Sequence, residues 1–141
     1  MEEYEADAKF AKLALEHVEV DHRVHHVVDG DEAMQFLHRE GAYSDAPRPD
    51  LILLDLNMPR KDGREVLREI RSDENLKSLV VIVLTMSDAK EDIACVYELN
   101  CNLYLKKHID LDRFTDSIKA IDRLFFQLAI LPPNEPIVKP T

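Results

Sequence analysis

The sequence predicts an α/β domain, a doubly wound parallel β-sheet with helices on both faces. Two observations lead to this class. Segments with helical apolar spacing alternate along the chain with short, continuous apolar runs. Such runs are typical of strands that are buried on both faces of a parallel sheet, and their alternation with helices implies crossover connections. The chain has 141 residues, 45% of them hydrophobic, which is enough for one packed domain.

Local signals predict each element of the first half of the chain. Apolar residues recur at helical spacing near the start, and a β-branched-rich segment that stops at Asp29-Gly30 follows. Asp31 is placed to cap the next helix, and a loop rich in Gly and Pro separates it from a four-residue apolar run. The predicted elements are a helix at 5–16, a strand at 22–28, a helix from Asp31 to about Arg39 and a strand at 51–54.

The second half repeats the same alternation. Gly63 opens a helix with Val66, Leu67 and Ile70 on its apolar side, and the run LVVIVL predicts a second buried strand. Ser87 or Asp88 is expected to cap the helix that follows it. The remaining predicted elements are a strand at 79–84, a helix ending near Leu99, a strand at 102–105, a helix from about Asp110 to Leu128 and a Pro-rich tail.

Three polar residues fall at the carboxyl ends of predicted strands: Asp55, Thr85 and Lys107. Each alone has an ordinary interpretation, as a turn cap, a strand residue or a surface lysine. Ligands of open parallel sheets bind beyond the carboxyl ends of the strands, so the coincidence indicates a site. A carboxylate nucleophile, a hydroxyl and an ammonium group are the parts that phosphoryl transfer needs. Mg²⁺ prefers oxygen ligands, which Asp55 and the backbone carbonyl of Asn57 can supply.

Composition excludes several classes of function. The formal net charge of −10 argues against nucleic acid and against an anionic membrane surface as partners. No apolar run reaches the ~18 residues of a membrane span, and the acidic start does not resemble a signal peptide. Cys95 and Cys101 lack the spacing of a metal site. We therefore expect a cytoplasmic protein.

Three segments resemble the response-regulator receiver domains. Residues 51–63, LILLDLNMPRKDG, resemble their phosphoacceptor segment; VIVLT with Ser87 resembles their switch-threonine strand; and residues 104–107, YLKK, resemble the segment with a switch aromatic and a phosphate-binding lysine. The resemblance covers about 2–131, which we take as the domain, with 132–141 as its tail. The segments AYSDAPRPDL and AILPP are most similar to single-domain regulators paired with bacterial phytochrome histidine kinases.

The resemblance implies a flavodoxin-like receiver fold and a role for each matching residue. Asp55 would be phosphorylated, Lys107 would pair with the phosphoryl oxygens, and Thr85 would move to hydrogen-bond one of them while Tyr104 changes rotamer. The implied Mg²⁺ ligands are Glu2, Glu3, Asp55 and the carbonyl of Asn57. Catalysis would be limited to the domain's own phosphorylation and slow dephosphorylation. The implied partners are a sensor histidine kinase, of the phytochrome type by the closest resemblance, and a downstream protein, with a homodimer through the last strand–helix units as a further expectation.

The sequence departs from the family pattern at its start. The usual first central strand is missing, Glu3 replaces an aspartate, and Ile137-Val138 is one segment that would fill the gap. These departures leave open a second interpretation, a pseudo-receiver that acts as a docking module without phosphorylation. A third, a phosphatase of the haloacid-dehalogenase type, is disfavoured because the position of its general acid is occupied by Asn57.

Overall fold

The computed structural model describes residues 25–27, 29–56, 61–107 and 110–132. A short 3₁₀ turn, Gly41–Tyr43, follows the first helix, and a π-helical segment, Asp122–Leu128, continues the last one. The helices and strands are α1 (Gly30–His38), β1 (Leu51–Asp55), α2 (Gly63–Ser72), β2 (Val80–Thr85), α3 (Lys90–Glu98), β3 (Leu103–Lys106) and α4 (Leu111–Ile121).

The three described strands form a parallel sheet in the order β1-β2-β3. Asp55 lies opposite Leu84, and Thr85 lies opposite Lys106. The carboxyl ends of the strands therefore meet at one edge of the sheet, as the sequence predicts for Asp55, Thr85 and Lys107.

Helices cover both faces of this sheet, which confirms the predicted fold class. Side chains alternate along each strand between the two faces. Ile52, Leu54, Val81 and Val83 belong to a core that includes apolar residues of α1, α2 and α3. The other face, with Ile82 and Leu84 buried in it, packs against residues of α4: Phe114, Ile118 and Ile121.

Two helix caps differ from the prediction. The cap of α1 is Asp29, whose Oδ1 accepts the backbone N–H of Glu32 at 2.8 Å, and not Asp31, which lies in the first turn. Helix α3 begins after Ala89, which makes no side-chain cap. Ser87 and Asp88 precede the N-cap position: the Ser87 hydroxyl accepts the Ala89 N–H at 3.2 Å and donates to Asp92, and the Asp88 carboxylate pairs with Lys106.

The last helix also differs from the prediction, which extended it without change to Leu128. At Asp122 the backbone changes to wider π-helical turns. Asp122 is buried there, and its Oδ2 accepts a hydrogen bond from Gln127 Nε2 at 3.0 Å. The apolar residues of this segment consequently divide: two pack against the second core, whereas two are mostly exposed. The packed residues are Phe125 and Phe126, and the exposed ones are Leu124 and Leu128.

Arg71, near the end of α2, joins the loops that precede β2 and β3. Its guanidinium donates to the carbonyl oxygens of Lys77, Leu79 and Asn100 at 2.8, 2.7 and 2.8 Å, and to Oδ1 of Asn102 at 2.9 Å. Burial lowers the pKa of this guanidinium, whose fork of donors suits several acceptors at once. The amino ends of the two strands are thus held together by one side chain.

Several predicted features lie outside the described residues. They are the helix at 5–16, most of the strand at 22–28, the missing first strand, the metal ligands Glu2, Glu3 and Asn57, and the tail from 133 onward. Within the described ranges, no helix is long and apolar enough to cross a membrane.

Tyr43 provides a pH-dependent contact next to α1. Its hydroxyl donates to Oε1 of Glu32, and this hydrogen bond, followed by desolvation, raises the pKa of Tyr43 to about 12. Because the folded pKa lies above the ordinary value of about 10, the stabilisation is present below pH 10 and is lost as the pH rises toward 12. We expect an absorbance titration to show one tyrosine that ionises near pH 12. It should be missing in Tyr43→Phe, and a titration that is the same in both proteins would contradict the contact.

Candidate functional site

Asp55 occupies the carboxyl end of β1 in a buried position. It is 5% exposed, and its Oδ2 lies 3.2 Å from Nζ of Lys107, which is 7% exposed. Taking two charges out of water is costly, and good geometry must compensate for that cost. A buried ion pair at a sheet edge where ligands usually bind is therefore typical of a functional site.

Two consecutive lysines at the end of β3 pair with different carboxylates. Lys106, the last strand residue, points outward and pairs with the exposed Asp88 at 3.0 Å. Lys107 follows with its side chain toward Asp55, since side chains alternate along an extended chain. Its backbone N–H donates to the carbonyl oxygen of Thr85 at 2.6 Å, which fixes it beside the end of β2.

Thr85 is the last residue of β2 and is 1% exposed. Its Oγ1 accepts the backbone N–H of Ser87 at 3.2 Å. Leu84, its neighbour in β2, lies opposite Asp55, so Thr85 ends β2 at the same edge of the sheet as Asp55. In this conformation its hydroxyl oxygen is bonded to the loop that follows β2.

Tyr104 contacts the same loop from β3. Its hydroxyl donates to the carbonyl oxygen of Ser87 at 2.7 Å, and desolvation raises its pKa. The ring lies 6.4 Å from that of Tyr97, whose hydroxyl oxygen accepts the Tyr104 backbone N–H at 3.3 Å. The two side chains interpreted as switch residues, Thr85 and Tyr104, are therefore joined through the backbone of Ser87.

Gly63 lies against the backbone that carries Asp55. A Cβ at this position would lie 2.3 Å from the carbonyl oxygen of Asp55 and 2.7 Å from Cα of Leu56. The Gly63 N–H also donates to the carbonyl oxygen of Leu56 at 2.9 Å. Only a residue without a side chain permits this approach, whereas the sequence alone predicts only that Gly63 begins a helix.

Two further residues near this edge, Arg64 and Asp92, could not be predicted from the sequence. Arg64 lies in the first turn of α2 and Asp92 in the first turn of α3, and they form an ion pair of 2.9 Å. Charged residues in the first turns of helices are common, so the sequence carries no signal for this contact. It arises because the two crossover helices begin at the same edge of the sheet.

The proposed metal ligands are carboxylate or carbonyl oxygens, the donors that Mg²⁺ prefers. Asp55 is the one that the structure describes, and its buried carboxylate at the ligand edge fits such an ion. Glu2, Glu3 and Asn57 lie outside the described residues. The described ranges contain no group of three or more His, Cys, Asp or Glu side chains that could hold a metal by themselves.

Comparison with known proteins gives a consistent result. The family model described as the response regulator receiver domain matches residues 2–119. The response regulator Rcp1 of a Synechocystis species is 40% identical over 132 residues, which cover 94% of this chain and 90% of Rcp1.

Solved structures agree with this sequence match. The Mn²⁺-bound form of Rcp1 has a TM-score of 0.87 at 40% identity, covering 94% of this chain and 96% of Rcp1. The phosphorylated cyanobacterial phytochrome response regulator RcpA has a TM-score of 0.89 at 45% identity, covering 94% and 95%. The receiver domain of the Pseudomonas aeruginosa sensor histidine kinase PA1611, with a magnesium ion in its active-site cleft, has a TM-score of 0.67 at 25% identity, covering 86% and 93%.

Proposed function

Because the chain belongs to the family of response-regulator receiver domains, we propose that Asp55 is the residue on which it accepts a phosphoryl group. As a member of this family the chain is a signalling protein, a phosphoacceptor of two-component systems, and it does not belong to an enzyme family. The observation that carries the assignment to Asp55 is its buried pair with Lys107, 3.2 Å apart at the carboxyl edge of the sheet.

The described residues supply the parts of a phosphoryl transfer. An oxygen of the Asp55 carboxylate attacks phosphorus in line, and the bond from phosphorus to its donor breaks as the acyl phosphate forms. Lys107 stands within 3.2 Å of that carboxylate and offsets the negative charge of the transferred group. The domain thus catalyses its own phosphorylation and, with water as acceptor, its slow dephosphorylation.

Phosphorylation is then sensed by the two switch residues. The group adds about −1.5 to −2 charges at neutral pH and several strong hydrogen-bond acceptors. The Thr85 hydroxyl leaves Ser87 and donates to a phosphoryl oxygen, and Tyr104 loses the arrangement in which it contacts the Ser87 carbonyl. The loop after β2 thereby shifts from the conformation with these contacts to one without them. The surface formed by α3, β3 and α4 then has a changed affinity for a downstream protein.

Mg²⁺ is the proposed cofactor, held by Glu2, Glu3, Asp55 and the carbonyl of Asn57. When bound, the ion neutralises charge on the phosphoryl oxygens and orients them. The Mn²⁺-bound Rcp1 and the magnesium-bound PA1611 receiver support a divalent ion at such sites in the family.

The proposed phosphodonor is a sensor histidine kinase of the phytochrome type, in the cytoplasm. Its support is the similarity to Rcp1 and to the phytochrome response regulator RcpA. The acidic charge of −10 still disfavours nucleic acid and anionic membranes as partners. A homodimer through the last strand–helix units, and a domain boundary at residue 131, remain part of the proposal.

The function is tested by incubating the chain with a small phosphodonor, with and without Mg²⁺, and measuring the intact mass. We expect one phosphoryl adduct that requires Mg²⁺ and is released by hydroxylamine, which cleaves acyl phosphates but not phosphoserine. No adduct, together with a folded protein, would replace this proposal by the docking module that functions without phosphorylation. A hydroxylamine-resistant adduct would place the phosphoryl group on another side chain.

A further inference from the structure

We propose that Arg64 and Asp92 form a latch that holds the loop after β2, residues 86–89, in its unphosphorylated conformation and thereby weakens the response to phosphorylation. The latch regulates the site described above, so the inference rests on the proposed function. Arg64 and Asp92 are positioning residues: Asp92 contacts the loop through Ser87, and Arg64 contacts Asp92.

The latch connects the first turns of two crossover helices. Arg64 Nη2 lies 2.9 Å from Oδ1 of Asp92, and its Nη1 lies 3.2 Å from Oδ2 of Asp62. Asp62 is the N-cap of α2, and its Oδ1 accepts the Arg64 backbone N–H at 2.7 Å. The arginine is therefore held at the start of α2, next to Gly63 and the backbone of Asp55.

The second carboxylate oxygen of Asp92 contacts the loop after β2. Oδ2 accepts the Ser87 hydroxyl at 2.6 Å, while Oδ1 is engaged by Arg64. The hydrogen bond from Ser87 and then that from Arg64 lower the pKa of Asp92 and thus favour its carboxylate form. One side chain of α3 thus links the start of α2 to Ser87.

Ser87 is the point where the latch meets the switch. Its hydroxyl donates to Asp92, its N–H donates to Thr85 Oγ1 at 3.2 Å, and its carbonyl accepts from the Tyr104 hydroxyl at 2.7 Å. Thr85 and Tyr104 must give up these backbone contacts when they rearrange. The Asp92 contact opposes that rearrangement because it keeps Ser87 in place.

Breaking the latch should favour the phosphorylated conformation before any phosphoryl group is present. Without the latch the unphosphorylated conformation is less stable, so the equilibrium shifts toward the phosphorylated conformation. A ligand that binds the phosphorylated conformation then binds more tightly. Both side chains of the Arg64–Asp92 pair are about one-third exposed, which makes the expected shift modest, about threefold to tenfold in affinity.

The test uses beryllofluoride, a non-covalent analogue of the phosphoryl group, in the presence of Mg²⁺. The chain has four Tyr and no Trp, so tyrosine fluorescence reports binding without a label. We expect Arg64→Gln and Asp92→Asn each to lower the apparent Kd about threefold to tenfold. Because both variants break one contact, the double variant should gain no more than either alone.

Asp88→Asn is the matched control. It removes an ion pair of 3.0 Å between the same loop and Lys106 without touching the side-chain contact of Ser87. Its Kd should equal that of the original chain. Ser87→Ala provides a second approach. It deletes the hydroxyl that donates to Asp92 and accepts the Ala89 N–H, but it leaves the backbone contacts with Thr85 and Tyr104, and it should also bind more tightly.

The outcomes separate the latch from the function on which it rests. If the original chain does not bind beryllofluoride, the proposed function fails. If it binds, but the latch variants bind equally or more weakly, the latch is overturned. Unfolding free energies measured in parallel identify a merely structural role: a loss of stability with unchanged Kd would also overturn the latch.

Discussion

An Asp55→Asn chain is expected to take up no phosphoryl group from a small phosphodonor. The amide preserves the volume of the side chain, and its oxygen can still accept a hydrogen bond from Lys107, 3.2 Å away in the structure. What it lacks is the nucleophilic carboxylate oxygen. Removing a catalytic nucleophile typically costs many orders of magnitude, so we expect the rate to fall by at least about a thousandfold.

Asp50→Asn is the control for this change. Asp50 precedes the same strand at its opposite end and is exposed, so the chemical change is identical and the site is remote. Intact mass after incubation with phosphodonor and Mg²⁺ should show the adduct in Asp50→Asn and none in Asp55→Asn. A hydroxylamine-labile adduct of unchanged yield in Asp55→Asn would assign the phosphoryl group to another carboxylate.

Gly63→Ala is expected to destabilise the fold by about 2–3 kcal/mol, the range of overpacking in a closely fitted interior. The new methyl group would lie 2.3 Å from the Asp55 carbonyl oxygen and 2.7 Å from Cα of Leu56. Both are backbone atoms, which cannot rotate away, so α2 and β1 must separate. Because β1 ends at Asp55, the same displacement should also slow phosphorylation.

Gly41→Ala separates this steric cost from the cost of backbone conformation. Gly41 has a φ of +56°, yet nothing lies within 4 Å of an added Cβ. Its substitution should cost only the penalty of the left-handed conformation, about 1–2 kcal/mol. Urea unfolding of both variants measures the difference. A loss in Gly63→Ala no larger than that in Gly41→Ala would contradict the close approach of α2 to β1.

The layout of the sheet could be predicted because burial leaves a strong pattern. The runs LILL and VVIVL read as strands, and parallel strands place their carboxyl ends together. Asp55, Thr85 and Lys107 could therefore be grouped before any geometry was known. The alternation of side chains then separates Lys107, which faces Asp55, from Lys106, which faces Asp88.

The contacts of the polar residues could not be predicted to the same extent. Asp29 and Asp31 are both acceptable caps by sequence, and the backbone geometry decides for Asp29. Ser87 looked like a cap for α3, but it donates to Asp92, a partner that Arg64 fixes from another helix. The partners of such polar side chains depend on the folded backbone and on residues far apart in the chain, so a local sequence pattern does not predict them.

Arg71 makes the two ends of the sheet unequal, because it holds the amino ends of β2 and β3 but not the carboxyl ends of the strands. Its four hydrogen bonds hold the segments before β2 and β3 to α2, on the side of the sheet away from Asp55. Displacing those segments would leave several carbonyl oxygens and a half-buried guanidinium without partners. We therefore expect motion that begins at Asp55 to be largest at the carboxyl ends of the strands. A partner that binds at those ends, as proposed above, would sense the change, whereas a segment attached beside Arg71 would move little.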